Sequence, residues 1–164
     1  MADDVDILRR RIGILLGLFV VGLVFSGLTA LPIRTEVSLL QRFVGQGSPT
    51  GPWWPALARW ISFVHRGVSE TSGQFPFLFY GTDWLAFAHL MIAIAFLGSL
   101  RDPVRNIWVV EFGMIACVGV IPWALICGPL RGIPCFWRLI DCAFGVVGIL
   151  PLLLAWRLIR RVGG

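Results

Sequence analysis

His89 and His65 are the only histidines in this chain of 164 residues, and each stands where an imidazole needs a reason. His89 lies in an apolar run, with Ala86 three residues before it and Ala93 four residues after it. That spacing puts all three on one face of a helix. An ionisable side chain at membrane depth is costly unless it meets a partner or water. The ordinary role of such a histidine is a structural hydrogen bond. Its chemical roles would be proton relay, metal ligand or haem ligand. His65 falls on a separate amphipathic stretch. Two imidazoles from different helices are the minimum for a bis-histidine haem b, so His89 and His65 permit that cofactor without requiring it. Zinc needs more ligands than these, and no metal site is expected.

Asp83 and Asp141 stand at the starts of two apolar runs. A carboxylate there complements the helix dipole and accepts from free N–H groups. Arg34 and Arg138 flank them at neighbouring run ends. Together His89, Asp83, His65, Asp141, Arg34 and Arg138 compose a candidate ligand site at one membrane face. It would suit an anionic headgroup, a quinone or a small polar molecule. Glu111 belongs near the other face, where Arg157 or Arg105 is the expected ion-pair partner. No polar residue bridges the middle depth, which argues against a proton or ion path through one chain.

The four cysteines, Cys117, Cys127, Cys135 and Cys142, include no Cys-x-x-Cys pair, so thiol redox chemistry is not expected. Cys117 and Cys127 read as small packing residues. Cys135 and Cys142 would lie about 10.5 Å apart along one helix, so a disulfide between them needs Cys135 in a loop. There is no phosphate-cradling glycine loop, no His-Glu-x-x-His and no Gly-x-Ser-x-Gly. No catalytic residue is nominated, and an enzyme is the less expected outcome.

The elements that must position these residues are four apolar runs, at 12–33, 84–100, 107–128 and 140–156. A hydrocarbon core of about 30 Å takes roughly 20 helical residues to cross. The chain is 57% hydrophobic, a content that would expose aggregating patches on a water-soluble fold. The expected class is therefore an all-α integral membrane protein, a four-transmembrane-helix bundle forming one domain over 1–164. Residues 34–82 form a long loop between the first two spans. Within it, Glu36–Val44 and 55–68 are amphipathic, the latter with Leu57, Ile61, Val64 and Val68 on one stripe and Arg59, Ser62 and Arg66 on another. Both suit the membrane interface or a cap over the bundle.

The net charge of +5 is arginine against carboxylate, with no lysine. The arginines gather at run ends, where they meet lipid phosphates rather than nucleic acid. The first run is too long for a cleaved signal peptide and is expected to stay as an anchor. Arginines are densest in the segments that share a side with the N-terminus, which puts both termini in the cytoplasm, in a bacterial inner membrane. Between helices in lipid, small residues permit close approach. The candidates are Gly13 with Gly17, and Gly22 with Ser26 and Ala30, in the first span, with Gly113, Ala116, Gly119, Gly145 and Gly148 later. Pro122 and Pro151 are expected to bend their helices.

The expected function is non-enzymatic: a binding or accessory subunit engaging lipid, a small ligand, a partner membrane protein or a second copy. A haem b or quinone-binding redox protein using His89 and His65 is the alternative. A small oligomeric transporter or channel is a third.

Overall fold

The computed structural model describes residues 2–163. Among them the secondary structure is entirely helical. It comprises α1 (Ala2–Ala30), α2 (Ile33–Val44), α3 (Pro55–Gln74), α4 (Tyr80–Arg101), α5 (Ile107–Leu130) and α6 (Cys135–Gly163). Short 3-10 turns, Gly51–Trp53 and Pro76–Phe79, precede α3 and α4. Four helical segments, in α1, in α4 with its preceding turn, in α5 and in α6, are long and apolar enough to cross a membrane.

The chain divides into two compact units. The first joins the chain up to Leu23 with that from Ile92 onward, and the second is Val24–Met91.

In the first unit, Ile12 and Leu16 of α1, Phe96 of α4, Val109 and Val110 of α5, and Leu152, Ala155 and Ile159 of α6 form one buried core. The spacings of three and four residues within α1 and α6 are those of a single helix stripe. The rings of Phe19 and Phe96 lie 4.9 Å apart. Glycines allow the close contacts. A Cβ on Gly113 would lie 2.7 Å from Phe96 and 2.9 Å from Leu152. One on Gly145 would meet the Cys117 carbonyl oxygen, and one on Gly148 would lie 3.1 Å from Cys117 Sγ. Among the described residues the α5–α6 interface is an extensive one. Both helices run on through their internal prolines, Pro122 and Pro151.

The turn between α4 and α5 is tied by Asn106. Its side-chain amide donates to the carbonyls of Gly98 (3.1 Å) and Asp102 (3.0 Å), which also accept the backbone N–H groups of Asp102 and Asn106 respectively. Buried Ser99 donates to the Asn106 carbonyl at 3.0 Å. At its far end α5 continues through Gly128 and Pro129, where the sequence pattern suggested a stop. It closes at Gly132, with φ +70°, a left-handed conformation that glycine adopts without steric cost. The Gly132 N–H donates to the Pro129 carbonyl and the Ile133 N–H to the Gly128 carbonyl. That pair of bonds satisfies two orphan carbonyls of the helix.

The helix that carries span four extends past the expected run at both ends. The helix starts at Cys135 rather than 140 and runs to Gly163. Cys135 and Cys142 thus share one helix, too far apart along it to bridge, and both are free thiols. Asp141 becomes the seventh residue of α6, so it sits in the second turn and not at the dipole position expected for it. Asp83, by contrast, does occupy the first turn of α4.

In the second unit, α2 and α3 pack on each other, and Val37 of α2 and Ala58 and Ile61 of α3 are buried. A polar clasp joins them. Ser62 Oγ donates to Gln41 Oε1 at 2.9 Å and accepts the Gln46 backbone N–H at 2.9 Å. The long connection is therefore an ordered helical hairpin.

Candidate functional site

Four of the six candidate residues belong to the second unit. Asp83 is exposed and lines a shallow hollow of about 240 Å³ with Tyr80, Trp84 and Phe87. These rings meet edge to face, Tyr80 on Trp84 at 5.9 Å and Trp84 on Phe87 at 5.6 Å between centroids. Residues 80, 84 and 87 share one helix face, so the cluster follows from local spacing. It is an aromatic collar with one carboxylate at its edge.

His89 is half-buried, one turn further along α4. Its Nδ1 lies 2.8 Å from the carbonyl oxygen of Leu85. A carbonyl only accepts, so Nδ1 carries the proton, and in the neutral ring Nε2 is the acceptor. The helix itself thus supplies one hydrogen bond for this histidine. The small-residue face expected around it exists: Ala86 and Ala93 are buried. Gly27 of α1 lies against it, where a Cβ would come within 2.9 Å of His89 Cβ and 3.1 Å of the Ala86 carbonyl oxygen. Gly27 was not among the expected contact glycines. Around Gly13, Gly17 and Gly22 there is open space where a Cβ would stand. The sequence signal was the run Ser26–Ala30, read one residue out of phase, a rotation of about 100° around the helix.

His65 is half-buried on α3, one turn beyond buried Ile61. Arg34 is exposed at the start of α2, and its carbonyl accepts from Ser38 Oγ at 2.7 Å. Among Arg34, His65, Asp83 and His89 no hydrogen bond or ion pair forms.

Arg138 and Asp141 belong to the first unit, both half-buried on α6, with no ion pair between them. The methylenes of Arg138 fill the space over Gly128, and its Nε is buried without a hydrogen-bond partner. Among the described residues no group of three or more His, Cys, Asp or Glu side chains is arranged to hold a metal ion.

The most developed polar constellation is one that the sequence placed in part. Glu111 of α5 accepts from Trp156 Nε1–H at 2.9 Å and pairs with Arg160 at 3.4 Å. The Arg160 guanidinium also lies 5.1 Å from the centre of the Trp156 ring. The ion pair forms with Arg160, where Arg157 or Arg105 was expected. Residues 156 and 160 are one turn apart on the face toward α5, while 157 is rotated about 100° from Trp156. The side chains of Arg160 and Glu111 are 62% and 41% exposed, so this is a surface brace between two helices rather than a buried ion pair.

Compared with protein-family models, with curated proteins and with solved structures, the chain finds no match.

Proposed function

We propose that this chain is an integral membrane protein that works by binding, as an accessory subunit engaging lipid or a partner membrane protein. One observation carries the reading. Large apolar side chains stand exposed along all four long helices, including Leu18 and Phe25 of α1, Ile94 of α4, Ile115 and Trp123 of α5, and Phe144 and Val147 of α6. Only 17–22% of the apolar window in each span is buried inside the protein. In water such a surface would drive aggregation, whereas in lipid it is ordinary. Several polar side chains, for their part, hold helices together: Glu111 with Trp156 and Arg160, Asn106 across the α4–α5 turn, and Ser62 across α2–α3.

The distribution of arginines supports cytoplasmic termini in a bacterial inner membrane, with α2 and α3 on the outer face. Exposed Cys135 then faces outward and takes up a membrane-impermeant maleimide in intact spheroplasts. Labelling only after lysis reverses the orientation.

Two measurements test the main reading. The chain should stay in the membrane pellet through alkaline carbonate extraction, and release into the supernatant overturns membrane integration. Purified in mild detergent, it should carry stoichiometric lipid or a membrane partner. A bare, lipid-free monomer overturns the binding role.

A second reading, a redox protein holding haem b or a quinone at His89 with His65, is favoured by the His89 Nδ1–H bond to a carbonyl. That is the bond by which ligating histidines are oriented. Oxidised and dithionite-reduced absorption spectra decide it. A Soret band that shifts on reduction and disappears in His89→Ala supports haem, and a colourless protein removes it.

A further inference from the structure

The tip of the α2–α3 hairpin is built to leave water. From Phe43 to Ala58 there is no charged residue, and the stretch is bracketed by Arg42 and Arg59. Three large aromatic side chains project from it, Trp53 at 86%, Trp54 at 70% and Phe43 at 65% exposure. Water is a poor solvent for so much ring surface, yet no other part of the second unit covers it.

The backbone of the tip is unusual in the same direction. Pro49, Pro52 and Pro55 carry no amide hydrogen at all. The Trp53 N–H donates to the Thr50 carbonyl (3.0 Å) and the Trp54 N–H to the Gly51 carbonyl (3.3 Å). The Ser48 N–H donates to the Gly45 carbonyl (3.1 Å) and the Gly51 N–H to Ser48 Oγ (3.0 Å). The Gln46 N–H donates to Ser62 Oγ (2.9 Å), and the Thr50 hydroxyl donates to the Phe43 carbonyl. A non-helical segment survives contact with lipid only when its backbone polar groups are satisfied from within. Here prolines and internal bonds remove most of the donors that would otherwise hold the tip in water.

We propose that this tip is a membrane-interface anchor. Trp53, Trp54 and Phe43 insert among the headgroups and upper acyl chains of a phospholipid bilayer, and Arg42 and Arg59 meet lipid phosphates at its base. Charge argues for lipid over a protein partner. Neither arginine makes an ion pair among the described residues, and an aromatic wedge with guanidinium groups at its base matches the order of a bilayer surface, apolar below and anionic above. Indole also favours that depth, with an apolar body and an N–H that hydrogen-bonds to headgroups or water.

The inference rests on the membrane reading above, and the test separates the two. The full chain is reconstituted in nanodiscs of phosphatidylethanolamine and phosphatidylglycerol. Photoreactive p-benzoylphenylalanine replaces Trp53, Trp54, Ile115 or Asp102 in turn, and lipid adducts are measured by mass spectrometry. Ile115 reports a span surface and Asp102 a polar turn. The expected result is lipid adduct at positions 53 and 54 close to that at 115, and about tenfold above that at 102. Arg42→Gln combined with Arg59→Gln should lower the yield at 53 about fivefold. Strong adducts at 115 with only the 102 level at 53 and 54 overturn the anchor and leave the membrane reading standing. So does cross-linking of the tip to a second copy in place of lipid. No adduct at 115 removes both.

Discussion

The α5–α6 pair and the α2–α3 hairpin solve the same problem, joining two antiparallel helices, by opposite means. The first is close-packed through glycine. Gly145 brings α6 against the Cys117 backbone carbonyl of α5, and Gly148 stands against the Cys117 thiol. The second buries Val37 of α2 and Ala58 and Ile61 of α3, and is tied by Ser62 to Gln41 and Gln46. Under the membrane reading proposed above, the difference follows the solvent each pair meets. Helices in lipid gain little from hiding apolar surface and must rely on close approach. Helices at an interface gain from apolar burial on one side and keep hydrogen bonds on the other.

Substitution can break this contrast. The largest effect is expected at Gly145. In Gly145→Val the new side chain meets the Cys117 carbonyl, a backbone atom that cannot move aside, and the cost should be about 3 kcal/mol in detergent unfolding. Gly119→Val, at a site with open space, serves as the control and should cost a small fraction of that. Equal losses would mean that the glycines matter for the helix and not for the interface.

Next comes Gly27→Val, which forces α1 off His89 and Ala86. A loss of about 2 kcal/mol is expected, against little for Gly22→Val. The reverse order would move the contact face of α1 back to Gly22.

Ser62→Ala tests the hairpin. It leaves Gln41 Oε1 and the Gln46 N–H without their shared partner and should cost about 1 kcal/mol. The loss should appear in amide exchange across residues 41–62, with α5 and α6 unchanged. A global loss would show the hairpin to be coupled to the rest of the protein.

The smallest effect belongs to Glu111. Glu111→Gln removes the charge facing Arg160 but keeps an oxygen for Trp156, so less than about 1 kcal/mol should be lost at this exposed brace. Arg157→Ala should be silent in the same assay. A larger effect at Arg157 than at Glu111 would restore the partner that the sequence suggested.

Much of the fold was legible because its signals are local. The span at 107–128 differs by two residues from α5, Ile107–Leu130, and the amphipathic stretch at 55–68 begins where α3 begins. The helix that carries span four begins before the apolar run, because Cys135–Leu139 carries an arginine and two aromatic residues, which interrupt the run without interrupting the helix. Asp141 lost its first-turn role for the same reason. The candidate site was legible only as residue types. His89 does lie on a face with Ala86 and Ala93, but its hydrogen bond goes to its own helix at Leu85. Asn106 escaped notice because its role, closing the end of α4, depends on a turn geometry that spacing does not encode.

By itself the sequence determined that there are four long apolar helices, where their charged ends fall and which connection is amphipathic. Length, hydropathy and charge are properties of consecutive residues, and the bilayer dimension converts them directly into elements. Only the tertiary structure decided which face each helix turns inward. Successive residues are rotated by about 100°, so Gly27 rather than Gly22 or Ser26 meets α4, and Arg160 rather than Arg157 meets Glu111. An apolar helix with small residues on several faces has no strong preference of its own. The rotation is set by what its neighbours present, and that information is spread across the chain.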